Sequence, residues 1–97
     1  MQIELRFFAN FRDTVGQKTI TREYDDVQTV GDVMRALEEE FPEMELFEDD
    51  GSAREFLTIM RNGQDVTHID GLETTIEDGD TVSAFPPVAG GNEGQQQ

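Results

Sequence analysis

The sequence predicts an α+β fold in which one amphipathic helix packs across a mixed sheet. Three observations carry this reading. Apolar residues alternate with period two near both ends of the chain and follow a helical period only once, between residues 30 and 41. Strand-like runs stand in pairs around that helix instead of alternating strictly with helices. The chain has 97 residues and enough regular apolar positions for one modest core, so a single domain is expected.

The first element is "IELRFFA", where Ile3, Leu5, Phe7 and Ala9 share one face and Glu4, Arg6 and Phe8 the other. "RDTVGQK" supplies a turn around Gly16, and "KTITREY" reads as a second strand anchored by Ile20 and Tyr24. The two strands are expected to form an antiparallel hairpin. The period then changes. Val30, Val33, Met34, Leu37 and Phe41 form one stripe of a helix. Thr29 is placed as its N-cap, Asp32 sits at the positive end of the helix dipole, and Pro42 disfavours helical geometry at Phe41. Glu38, Glu39 and Glu40 read as a solvated acidic face. "EMELFEDDGSAREF" is irregular, with Leu46 and Phe47 as pins and Asp49–Asp50–Gly51 as a turn that lacks the spaced oxygen ligands of a calcium loop. "FLTIMRNG" is a third strand ending in the turn Asn62–Gly63. "HIDGLETTIEDGD" reads as a loop or helical turn with an unremarkable loop histidine, His68, and "TVSAFPP" is the last strand. The order strand, strand, helix, strand, strand is that of the ubiquitin-like β-grasp. Ferredoxins of that fold are excluded because no cysteine is present to hold a cluster.

Composition narrows the function. Twenty-two acidic residues face seven basic ones, of which Lys18 is the only lysine, and the net charge is -15. Such a surface repels nucleic acid and anionic membrane, so neither is an expected partner. An acidic, lysine-poor surface over an ordinary core pattern also suits a protein of a salt-rich cell; an ordinary acidic protein is the alternative. No apolar run reaches the roughly 18 residues of a membrane span and no signal pattern opens the chain, so a cytoplasmic location is expected. The lack of cysteine removes thiol nucleophiles and Cys-ligated metals, and no catalytic or metal-binding constellation is visible.

Two features break the pattern. Phe8, Met60 and Phe85 fall out of phase with their strands' inward residues and are expected to gather on the outer sheet face. An apolar patch on so charged a protein marks a partner site. Cover by loops or the tail, or a one-residue register slip, is the structural alternative. The second feature is "FPPVAGGNEGQQQ". Pro86 and Pro87 fix an extended, stiff exit from the sheet, Val88 and Ala89 are small, and Gly90 and Gly91 let the backbone enter a narrow cleft. A main-chain carboxylate at the end of such an arm could be presented to another enzyme's active site.

"LRFFANFRDTVG", "TVGDVMRAL" and "LETTIEDGDTVSAFPPVAGG" resemble the MoaD/ThiS group of ubiquitin-like sulfur carriers, which includes the small subunit of molybdopterin synthase. The chain looks most like the small archaeal modifier proteins of haloarchaea, over residues 1–91. The resemblance implies a β-grasp domain over residues 1–87, an arm over 88–91 and a disordered tail over 92–97. It implies a carrier or modifier, not an enzyme, that binds no cofactor itself. A ubiquitin-activating-type adenylyltransferase would use ATP to adenylate Gly91. The adenylate would then accept sulfur for molybdopterin synthesis or tRNA thiolation, or pass to the lysine of a target protein. Phe8, Met60, Phe85, Pro86, Pro87 and Val88 would meet partners, namely the activating enzyme, a sulfurtransferase or a molybdopterin synthase large subunit. Lys18 would be the acceptor for self-conjugation. The departure from the family is the run Asn92–Gln97 after Gly91, which a protease must remove before Gly91 can react. The alternative is a non-conjugating binding module that keeps its tail.

Overall fold

A computed structural model of the chain describes residues 1–52, 54 and 57–86. The expected arm residues Pro87, Val88, Gly90 and Gly91, and the tail 92–97, lie outside the described residues. Five strands form one mixed sheet: β1 (Gln2–Phe7), β2 (Thr19–Glu23), β3 (Thr58–Arg61), β4 (Gln64–Asp65) and β5 (Thr81–Phe85). Their order is β2-β1-β5-β3-β4. β1 and the central strand β5 run parallel, and every other strand pairing is antiparallel. Helix α1 covers Ala9–Val15 and helix α2 covers Val30–Glu40.

The core lies between the sheet and α2. Ile3, Leu5 and Phe7 of β1, Ile20 of β2, Ile59 of β3, and Val82 and Ala84 of β5 supply the sheet side. Val30, Val33, Met34 and Leu37 supply the helix side, each fully buried. Removing such side chains from water stabilises by roughly 1.5–3 kcal/mol apiece, which is what fixes the register of both apolar patterns. Leu46 is fully buried and Phe47 partly so, which matches their expected role as pins.

Helix α2 begins as the sequence indicates. The Thr29 hydroxyl accepts from the Asp32 N–H at 3.2 Å, and the Asp32 carboxylate accepts from the Thr29 N–H in return. This capping box satisfies two backbone donors that would otherwise lack partners. Its start is tied to the β5 approach by Val30 N–H donating to the Thr74 carbonyl at 2.9 Å. It ends at Phe41, directly before Pro42.

Two expectations need correction. β1 and β2 pair antiparallel but are not a tight hairpin, because α1 lies between them. That helix spans seven residues, has no side-chain cap, and buries fully only Phe11, so it leaves no periodic trace in the sequence. Gly16 closes it at φ 85°, donating its N–H to the Arg12 carbonyl at 2.8 Å. Ala9 is not a strand residue: β1 stops at Phe7, and Ala9 opens α1 with φ 55°, exposed. The third strand ends in the turn Asn62–Gly63 as expected. Both residues have positive φ, which suits a two-residue hairpin turn, and β4 follows as a fifth strand too short to read from alternation. No helix among the described residues is long and apolar enough to cross a membrane.

Candidate functional site

The face of the sheet away from α2 holds the out-of-phase residues. Strand register arranges this face in rows. Thr19, Arg6, Ser83, Met60 and Asp65 lie across from one another, strand by strand. In the next row Phe85 lies opposite Thr58. Phe8, the extended residue after β1, places its ring on Phe85, with centroids 4.2 Å apart and planes 9° from parallel. Both rings remain partly exposed. The structure thus brings Phe8 and Phe85 together and sets Met60, also partly exposed, on the same face one row away.

The stack stands where the chain leaves the sheet. Phe85 is the last residue of β5, and α1 packs against both β1 and β5 at this end. Pro86 is buried, lining a crevice with Phe11, Met44 and Arg54. Its expected place among partner-facing side chains is therefore corrected to an inward one. Lys18 is exposed just before β2, and its carbonyl accepts from the Phe7 N–H at 2.9 Å.

Sequence reasoning passed over the residue that anchors this strand, Asp80. Its carboxylate accepts from Arg61 Nε at 2.7 Å, from Asn62 Nδ2 at 3.0 Å and from the Glu77 N–H at 2.8 Å. Burial pushes its pKa up, but these donors outweigh it and hold the carboxyl below the usual range. Asp78 accepts from the Gln2 N–H at 2.6 Å, and Gly79, at φ 89°, donates to the Gln2 carbonyl at 2.7 Å. "EDGD" is thus the clamp that sets β5 parallel to β1. Two carboxylates flanking a glycine before a strand were the signal that could have revealed it.

Among the described residues no group of three or more His, Asp or Glu side chains could hold a metal ion, and His68 is exposed. What the geometry provides is a stacked, partly exposed aromatic pair next to Pro86, the last described residue.

The family described as "ThiS family" matches residues 5–91. Small archaeal modifier protein 3 of Haloferax volcanii is 52% identical, over 94% of this chain and 100% of its own. The solution structure of the Haloferax volcanii HVO 2177 protein, also 52% identical, superposes with a TM-score of 0.82, over 94% of this chain and 87% of that one. The sulfur carrier protein CysO of Mycobacterium tuberculosis is 38% identical, over 80% of this chain and 85% of its own. With one family match spanning nearly the whole chain, and a relative sharing half its residues end to end, this chain belongs to the ThiS family, the ubiquitin-like β-grasp sulfur carriers and protein modifiers.

Proposed function

We propose that this carrier reacts through the main-chain carboxylate of Gly91, freed by removal of Asn92–Gln97. The observation that carries the reading is where the family match stops: it runs to residue 91, the second glycine of the pair, and leaves out the polar run beyond it. The buried Pro86 and the Phe8–Phe85 stack at the root of the arm support it, since both suit an arm held in a set direction beside a docking face.

The chemistry is that of an acyl group. In the active site of an adenylyltransferase of the ubiquitin-activating type, the Gly91 carboxylate attacks the α-phosphate of ATP and pyrophosphate leaves. A hydrosulfide ion as sulfur donor then attacks the acyl carbon, releases AMP and loses its proton to give a thiocarboxylate, or a lysine amine displaces AMP to give an isopeptide and loses a proton. The partners implied are that enzyme, a processing protease, and either a sulfurtransferase, a molybdopterin synthase large subunit or lysine-bearing targets. The small cross-section of two glycines suits a narrow channel, where even one methyl crowds the backbone.

ATP–pyrophosphate exchange tests the reading. A chain ending at Gly91 should support exchange with the cognate adenylyltransferase, and the 97-residue chain should not. Gly91→Ala in the shorter chain should impair the reaction. Equal activity of the two lengths, or none in the shorter one with a competent enzyme, would leave a binding module that retains its tail.

A further inference from the structure

The turn between β3 and β4 is Asn62–Gly63, with φ 52° and 85°. Of the three asparagines in the chain, Asn10, Asn62 and Asn92, only Asn62 is followed by glycine. That pair has a chemistry of its own. Asparagine is among the thermolabile residues, because the next main-chain nitrogen can attack its carboxamide. A side chain on the following residue hinders that approach, and glycine has none. Both residues are exposed, so water reaches them.

The fold engages Asn62 three times. Its N–H donates to the Thr81 carbonyl at 2.8 Å, its Oδ1 accepts from the Thr81 N–H at 2.9 Å, and its Nδ2 donates to the Asp80 carboxylate at 3.0 Å. Asn62 thus adds a rung to the ladder between β3 and β5, one residue beyond the end of β3. Arg61 Nε and the Glu77 N–H hold the other oxygen of Asp80, at 2.7 and 2.8 Å. The carboxamide is therefore turned to β5, with its nitrogen tied to a fixed carboxylate by a charge-assisted bond. Attack by Gly63 needs the Asn62 Cγ turned to the Gly63 nitrogen and Nδ2 set free. Both movements break the contacts with Asp80 and Thr81, so the reaction waits for the turn to open locally.

We propose that Asn62–Gly63 is a self-modification site guarded by the Asp80 clamp, and that reaction there prevents the clamp from closing again. When the turn opens, the Gly63 nitrogen bonds to Asn62 Cγ and gives up its proton. The Cγ–Nδ2 bond breaks, and Nδ2 leaves as ammonia with that proton. Water then adds to one carbonyl of the cyclic imide and breaks its bond to nitrogen, which leaves aspartate or isoaspartate at position 62. No oxidant or reductant is involved. An oxygen without a proton now faces Asp80 across the 3.0 Å that a hydrogen bond had spanned. Two carboxylates so close cannot both ionise without cost. Isoaspartate also lengthens the main chain by one carbon within a two-residue turn. The damage falls on β5, the strand that starts at Thr81 and runs to Phe85, directly before Pro86.

Incubation of the full 97-residue chain at mildly alkaline pH tests this. One sample stays in molar KCl, its fold verified by circular dichroism, and one in concentrated urea. Mass spectrometry follows the peptide that holds Asn62, which gains about 1 Da on conversion, and a protein isoaspartate methyltransferase counts the isoaspartate. Conversion should be slower in the folded chain by about tenfold or more. Asp80→Asn, whose neutral amide accepts more weakly than a carboxylate, should convert several times faster than wild type in molar KCl, at a temperature below its own unfolding midpoint. Asn62→Asp, standing for the product, should unfold several degrees below wild type. Equal rates in KCl and urea, or a folded Asp80→Asn that converts no faster than wild type, would overturn the guarding role of the clamp. An Asn62→Asp midpoint equal to that of wild type would overturn the failure to close again. No conversion in urea would overturn the site itself.

Discussion

At the scale of single residues, the molecule separates groups that hold the fold from groups that face outward. Asp80 belongs to the first set. Its three donors stabilise the charged carboxylate, so its folded pKa lies below the unfolded value of about 3.9. A depressed pKa stabilises above the unfolded value, and that stability is lost as pH falls through the folded one. Asp80→Asn is therefore expected to cost about 1–3 kcal/mol at neutral pH, with the gap to wild type closing in acid; urea titrations across the acid range check this, and a gap constant with pH would refute it. Phe85 belongs to the second set. It stacks on Phe8 yet stays partly exposed, and it is out of phase with the buried Val82 and Ala84. Phe85→Ala should lose about 0.5–1.5 kcal/mol of folding stability, the worth of an aromatic pair. Its loss of binding to the activating enzyme should be larger, about 2 kcal/mol or more. A folding loss of several kcal/mol with binding unchanged would make Phe85 a core residue.

At the scale of elements, legibility followed the strength of the local signal. Helix α2 could be read to the residue because cap, stripe and terminating proline agree, and the inward sets of β1 and β5 because alternation sustained over five or six residues fixes a face. The Phe8–Phe85 pairing followed from that phase. Helix α1 could not be read, since one buried Phe11 makes no period, and β4 could not, since two residues make no alternation. Both exist because of contacts distant in sequence. Pro86 was misread for the same reason: its stiffness is local, but its burial depends on α1 and Met44. Gly31 shows a helix residue chosen by such a contact. It is buried in the first turn of α2, where a Cβ would sit 3.0 Å from the Leu72 carbonyl oxygen and 3.2 Å from the Leu72 Cβ. Alanine would ordinarily favour a helix by up to about 1 kcal/mol over glycine. Here the crowding is backbone against Cβ, so Gly31→Ala should destabilise by about 1–3 kcal/mol. Thermal unfolding of the variant decides, and an unchanged or raised midpoint would mean that the 71–73 turn yields freely.

At the scale of the whole molecule, the net charge of -15 works against the compact state. Among the described residues only Glu40, Glu45 and Asp80 pair with arginine side chains, and the N-terminal amine lies 3.9 Å from Glu23. The other carboxylates repel one another across a small surface, and compaction brings them closer than the unfolded chain does. Salt shortens the reach of that repulsion from about 10 Å at 0.1 M to about 3 Å at 1 M. The unfolding midpoint is therefore expected to rise markedly from dilute buffer to molar KCl, most steeply at the low end, where the screening length still exceeds the spacing of surface charges. The acidic face of α2 offers the internal control. Glu38→Gln with Glu39→Gln removes two exposed or half-exposed carboxylates without touching the core, so it should raise the low-salt midpoint and flatten the salt curve. A midpoint that stays flat or falls with KCl would show that self-repulsion does not limit this fold, and would sink the reading of its acidic surface as one suited to a salt-rich cell.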